Sequence, residues 1–249
     1  MRITYVGHAT VLIDMDGVRL MTDPVLRGRI AHLRRREPVP AESLRGVDTV
    51  LISHAHMDHL DPRSIALLAG DPVVVVPRGA ARFVRRRRGV VEVAEGDEVE
   101  VGAVTVRATH AEHDGRRYAL GPPAASLGYR IQGDRSVYFA GDTGLFPGMA
   151  DIGSSGIDVA LLPVAGWGPK LGPGHLDPGE AARAAALIAP RVAIPIHWGT
   201  YERIGMDTGH RAAPARRFCD QLSELAPEVA AELLAPGEAL DVAAAGSSA

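Results

Sequence analysis

The chain has a single cysteine, Cys219, in 249 residues. One thiol excludes an intrachain disulfide framework and every cysteine-rich ligand set, so any metal bound here must be held by imidazoles and carboxylates. Lysine is equally scarce. Lys170 is the one lysine among 27 Lys and Arg residues, a bias of composition rather than a functional signal. The net charge of −3 provides no global basic field of the kind that marks a nucleic-acid partner. No run approaches the roughly 18 apolar residues of a membrane span, and the N-terminus has no apolar stretch long enough for a secretory signal. These absences predict a cytoplasmic protein with neither nucleic acid nor membrane as partner.

Short Val- and Ile-rich runs recur between turn signals: Ile3–Val6, Val11–Ile13, Val18–Met21, Val47–Ile52, Val73–Val76, Val104–Val106, Val137–Ala140, Val159–Leu162 and Val192–Ile196. Their length and β-branched content predict strands. Asp61-Pro62 and Asp177-Pro178 place a cap and an N1 proline before helices at Arg63–Leu68 and Gly179–Ala189, and Arg211–Leu225 has an amphipathic pattern. Dense strands followed by alternating strands and helices suit a layered α/β sandwich in one domain, residues 1–240. Asp241–Ala249 is small and polar and reads as a frayed tail. The arginine runs Arg34–Arg36 and Arg85–Arg88 read as solvated faces, with an anionic-substrate patch open for Arg34–Arg36 alone.

Chemistry concentrates in Ser53-His54-Ala55-His56-Met57-Asp58-His59-Leu60-Asp61, directly after a predicted strand and before a capped helix. Residues two apart on an extended segment face the same way, so His54 and His56 can grip one ion. The turn into the helix swings Asp58 and His59 toward a second ion. Imidazole with carboxylate suits Zn²⁺ and similar cations. Four residues cannot complete two sites, and further candidates sit just beyond other strands: His110 and His113, Asp142, and His197. Strand ends on one edge of a sandwich can bring them together.

His-x-His-x-Asp-His, followed by His, Asp and His at strand ends, resembles the metallo-β-lactamase superfamily. Gly7-His8-Ala9-Thr10, Thr22-Asp23-Pro24 and Pro195-Ile196-His197-Trp198-Gly199-Thr200 resemble the branch holding the N-acylphosphatidylethanolamine phospholipase D-like and ascorbate-6-phosphate lactonase-like enzymes. The resemblance implies a four-layer αββα sandwich. It assigns His54, His56 and His113 to a first metal, Asp58, His59 and His197 to a second, and Asp142 to both. Ala111-Glu112-His113-Asp114-Gly115-Arg116 resembles the family's third motif, which favours His113 over His110; His110 then reads as a supporting or packing residue. Two divalent ions, zinc first with manganese or iron as alternatives, would share a water and make hydroxide available at neutral pH.

Asp58 and His175 are the candidate catalytic residues. His175 follows the Gly-rich stretch Gly166–Gly174 before a capped helix and is the candidate proton donor. His8 either orients a ligand or packs in a loop, and Asp23 is expected to hydrogen-bond the metal loop. Trp167 and Trp198 read as pocket floor or core; His32 and His210 lie outside every motif, and Cys219 is structural. Asp142 argues against a β-lactamase, and Leu60-Asp61 replaces the Gly-Gly of the glyoxalase II pattern. The best expectation is a phosphodiesterase acting on a small molecule. The alternatives are a lactonase or ester hydrolase of a small phosphorylated metabolite, and a metal-binding or sensing protein without turnover. Self-association into a homo-oligomer stays open.

Overall fold

A computed structural model describes residues 1–84, 89–118, 120–165, 171–205 and 212–243. The Arg85–Arg88 run, Trp167 and His210 lie outside the described residues. Two seven-stranded mixed sheets lie back to back. In order across the first sheet are Ala239–Asp241, Arg2–Gly7, Thr10–Met15, Val18–Thr22, Thr49–Leu51, Val73–Pro77 and Val90–Val93, antiparallel over the first four and parallel from Val18–Thr22 onward. The second runs Ala230–Ala231, Val192–Ile196, Val159–Pro163, Ser136–Phe139, Leu127–Gln132, Val104–His110 and Glu98–Val101, parallel over its first four strands.

Alternation along each strand decides the layers. In the first sheet Ile3, Tyr5, Val11, Ile13, Leu51 and Val75 face the second sheet and join one core. Val6, Leu12, Met21, Val50, Ile52, Val74 and Val76 face outward, where they pack with Leu60, Ile65 and Leu68. That outer layer is thin, built around the short helix Pro62–Ile65. The opposite outer layer is formed by Pro178–Ile188 and Ala213–Leu225. The four alanines Ala181, Ala182, Ala184 and Ala185 let the first of these lie close, and Phe218 and Leu222 fill in from the second. The parallel strands, covered on both faces, are near-continuous apolar runs: all five residues of Val159–Pro163 are buried. The architecture is the four-layer αββα sandwich expected from the sequence.

Several expectations change. The tail does not begin at Asp241, because Ala239–Asp241 pairs with the first strand and Asp241 meets Arg2 at 2.8 Å. Backbone pairing on an open sheet edge holds it where composition suggested fraying. The Arg34–Arg36 run divides: Arg34 is exposed as expected of a solvated run, whereas Arg35 is buried and Arg36 half-buried. Leu33–Arg35 is the middle strand of a small sheet with Arg29–Ile30 and Tyr201–Arg203. Buried Arg35 donates to the carbonyls of Glu37, Val25 and Val6, and Arg34 and Arg36 both pair with Glu202. Arg35 and Arg36 fasten a loop, while Arg34 pairs with Glu202 from the surface.

The helix that follows His175 starts at a reciprocal cap. Asp177 accepts from the Glu180 amide at 2.8 Å, and Glu180 accepts from the Asp177 amide at 3.2 Å. Asp177→Ala is expected to lower stability by about 1 kcal/mol. Urea unfolding should show this as a lower midpoint with an unchanged slope.

Candidate metal centre

The parallel strands of both sheets end at one edge, and the chemistry-bearing residues follow those ends. Asp23 comes after Val18–Thr22, His54 to His59 after Thr49–Leu51, Asp142 after Ser136–Phe139 and His197 after Val192–Ile196. His113 arrives from the end of Val104–His110. Two contacts fix the sheets against each other at this edge: the Tyr129 hydroxyl donates to the Ile52 carbonyl at 2.7 Å, and the Leu127 amide donates to the Ser53 carbonyl at 2.9 Å. Gly141 has φ +62, and a Cβ there would lie 2.5 Å from the Ser53 Cβ, so only glycine permits the approach that carries Asp142 in. Arg117 braces the ligand loop at both ends, donating to the carbonyls of Ala55 and Leu60 at 3.1 and 2.9 Å.

Hydrogen bonds decide which ring nitrogen each histidine presents. Asp23 accepts from the Ser53 amide and hydroxyl at 2.7 and 2.5 Å. Having donated its proton, the Ser53 hydroxyl must accept from His54 Nδ1, 2.9 Å away. Asp23 also accepts from His59 Nδ1 at 2.7 Å, and the Gly174 carbonyl from His113 Nδ1 at 2.8 Å. Each of these partners leaves Nε2 as the lone-pair nitrogen, the arrangement typical of metal-binding histidines.

Those nitrogens converge in two groups. His56 Nδ1 is 2.9 Å from His54 Nε2 and 3.2 Å from His113 Nε2. Nearby, His59 Nε2 is 3.2 Å from His197 Nε2, with Asp58 Oδ2 at 3.6 and 3.9 Å from the two. A tetrahedral ion with roughly 2.0–2.1 Å bonds to nitrogen has ligand-to-ligand edges of about 3.3 Å, so both groups have the dimensions of an ion's coordination shell. Asp142 stands between them: Oδ2 is 3.2 Å from His59 Nε2, Oδ1 is 3.5 Å from His197 Nε2, and it also groups with His113 and His175 within ligand reach. Oδ1 is buried without a hydrogen bond among the described residues, as expected of an oxygen meant for a cation.

The charge balance agrees. Burial lowers the pKa values of His54, His56 and His197, and brings His113 down to about 4. These rings are therefore neutral, as ligands must be. Burial opposes ionisation of Asp58 and Asp142, yet His59 beside the first and His197 and His59 beside the second hold both well below the usual carboxylate range. Burial likewise opposes a charge on His59, but Asp142 and Asp58 override it and hold that ring's pKa well above the ordinary value. The carboxylates thus draw positive charge onto the spot where the lone pairs converge. Divalent cations fit that donor set.

The remaining histidines separate clearly. His110 sits at the surface, 3.1 Å from Glu95 and 3.4 Å from Glu112, with its ring edge against Phe146. It packs, and it supports no ligand. His175 Nδ1 is 3.1 Å from the carbonyls of Gly172 and Pro173, which turns Nε2 to 3.5 Å from Asp142. His8 is buried with Nε2 3.3 Å from Asp58 Oδ2, its pKa pushed down to about 3 by burial and by His197. Asp23 bonds the ligand loop as expected. Trp198 belongs to the core, stacked on Tyr5 and donating to the Pro195 carbonyl. Sequence reasoning missed Ser53, Arg117 and Thr200. The position of Ser53 next to His54 was a usable signal, whereas Arg117 acts through backbone carbonyls that no motif reveals.

Two mixed sheets with an imidazole–carboxylate cluster at their common strand-end edge define the αββα metal-site class of fold. The family model described as the β-lactamase superfamily domain matches residues 18–198. A UPF0173 metal-dependent hydrolase of Opitutus terrae is 32% identical over 251 residues, covering 97% of this chain and 100% of that protein. An N-acyl-phosphatidylethanolamine-hydrolyzing phospholipase D 1 of Caenorhabditis elegans is 31% identical over 227 residues, 80% of this chain and 64% of that one. Among solved structures, a metallo hydrolase from the archaeon Ignicoccus hospitalis superposes with a TM-score of 0.69 at 24% identity, covering 96% of this chain and 97% of that chain. The chain belongs to the metallo-β-lactamase superfamily, among its UPF0173 metal-dependent hydrolases.

Asp23 touches no lone-pair nitrogen, yet it fixes two rings. Asp23→Asn should weaken divalent-ion affinity by about 10–100-fold, as removal of such supporting groups typically does. A competitive chelator titration checks this, with circular dichroism to show that the fold is kept.

Proposed function

We propose that this chain is a binuclear metal-dependent hydrolase whose substrate is a phosphodiester. The observation that carries the reading is the place of Asp142 between two triads of ligand dimensions, close to both and with one buried oxygen free of hydrogen bonds. His54, His56 and His113 would hold one ion, and Asp58, His59 and His197 the other, with Asp142 shared. The imidazole-rich set suits zinc, and manganese or iron can also be accommodated. The likeness to a phospholipase D of Caenorhabditis elegans over 80% of this chain supports the diester.

Bound at these residues, two divalent ions would supply Lewis acidity and a water-derived nucleophile at neutral pH, so a serine or cysteine nucleophile would be unnecessary. Cys219, on the helix Ala213–Leu225 and packed against the core, is not needed. Asp58 is the more open of the two site carboxylates, its side chain 18% exposed against 4% for Asp142, and this supports a role for it beside the reacting water. His175 is held through Nδ1, with Nε2 3.5 Å from Asp142 and its side chain partly exposed. In this reading Nε2 would carry the proton that passes to the departing oxygen.

Elemental analysis of protein grown with ample metal should find two divalent ions per chain. Asp142→Ala should remove at least one ion together with hydrolysis, and Cys219→Ser should leave both intact. Bis(p-nitrophenyl) phosphate should be turned over faster than a β-lactam. Turnover of a β-lactam with the diester untouched would refute the substrate class.

The role of His175 has its own signature. General acid catalysis is worth roughly 10²–10⁴-fold, and less where the leaving group is stable as an anion. His175→Ala should keep both ions, slow an alkyl phosphodiester by that factor and slow a nitrophenyl analogue much less. Equal losses on both would assign His175 to positioning.

A further inference from the structure

His8 adopts a left-handed backbone conformation, φ +60, that a residue with a Cβ occupies only when its surroundings require it. Here they do. Its amide donates to Thr200 Oγ1 at 2.7 Å, and its carbonyl accepts from the His197 amide at 2.8 Å. The preceding Gly7 has φ +126, and a Cβ there would stand 2.7 Å from Thr200 Oγ1 and 3.1 Å from an Arg35 guanidinium nitrogen. The His8 ring lies 3.9 Å, centroid to centroid, from the His197 ring and meets the Tyr201 ring edge-on. Backbone and ring are thus both fastened to the turn that carries His197, and the outcome is Nε2 placed 3.3 Å from Asp58 Oδ2. Nε2 stands within donating distance of a carboxylate, which only accepts, so this geometry lets the ring direct an N–H at Asp58.

We propose that His8 is a positioning residue for the second metal site, holding the Asp58 carboxylate at the angle the ion requires. The inference rests on the two-ion reading above. Asp58 lies in a turn closed by the His59 and Leu60 amides on the His56 carbonyl, which fixes its backbone and leaves the angle of its carboxylate to side-chain partners. His8 supplies the link: it ties Asp58 to the backbone of His197, so that two ligands from opposite sheets move as one unit. The strain at His8 is the local cost of that link.

The test separates this role from a general structural one and from failure of the two-ion reading. Asn tolerates the left-handed conformation, so His8→Asn should fold, but its amide is too short to reach Asp58. Gln places an amide N–H where Nε2 stood. Calorimetric titration of the metal-stripped protein with Zn²⁺ should show two ions on the wild type. His8→Asn should weaken the second ion by about 10–100-fold relative to the first. His8→Gln should recover most of that ratio. The ratio within one sample is the decisive readout, because a loosened fold lowers both affinities together. A wild-type ratio in His8→Asn, parallel loss of both ions, or no recovery in His8→Gln would each overturn the role of His8. A wild type that binds fewer than two ions would instead overturn the two-ion reading.

Discussion

A centre drawn from two sheets exists only if the sheets are locked together where their strands end. That lock is a pair of hydrogen bonds from the second sheet, Tyr129 hydroxyl to Ile52 and Leu127 amide to Ser53, at the last residues before the ligand loop. Both partners are buried, so neither bond competes with water, and breaking either would leave a buried carbonyl unsatisfied at a cost of about 1–3 kcal/mol. Closely packed β-branched residues on the facing surfaces resist sliding. Gly141 against Ser53 then sets the remaining distance. Asp142 reaches the histidines of the other sheet because no side chain intervenes.

With the frame fixed, the polar network determines protonation. Asp23 accepts three bonds and lies at the root of two ligand rings, directly for His59 and through Ser53 for His54. Buried carboxylates are costly unless paired and hydrogen-bonded. Asp23 is satisfied by Ser53 and His59 of the loop after Thr49–Leu51, whereas Asp142 keeps one oxygen without a hydrogen bond among the described residues and Asp58 faces a ring of imidazoles. The contrast separates the carboxylate that orients from the carboxylates that can receive an ion. Burial favours neutral rings at His54, His56, His113 and His197, while neighbouring charge keeps the acids ionised and raises the pKa of His59, the ring set between them.

How much of this was legible depended on the kind of signal. His54, His56, Asp58 and His59 stand together in sequence after an apolar strand, and the strand runs before Asp142 and His197 are four and five residues long, so their convergence followed from topology. The strand Val192–Ile196 matched its expected bounds. Less visible were strands with weak alternation or charge, such as Glu98–Val101 and Leu33–Arg35, which form because a neighbour offers an edge, not because the residues favour it. The arginine run misled for the same reason. Its partners, Glu202 and the carbonyls of Val6 and Val25, are distant in sequence and become neighbours only after folding. The choice between His110 and His113 needed the fold as well: at the end of its strand His110 is directed to the surface, while His113, three residues on, turns inward against Gly174.

Backbone strain follows the chemistry. Among the described residues, six non-glycine residues have positive φ, and three of them are His8, Asp23 and His197. Each such conformation costs on the order of 1–3 kcal/mol, so three within one network represent a substantial fraction of the stability of a domain this size. Relaxing any of them would be easy for a loop without obligations. Here the carbonyl of His8 is bonded to the amide of His197, and the carboxylate of Asp23 is bonded to Ser53 and His59, so relaxing one residue would break the contacts of another. The strain is therefore held in common. It stays because the hydrogen bonds and ring contacts that need this geometry are buried and shared among these residues.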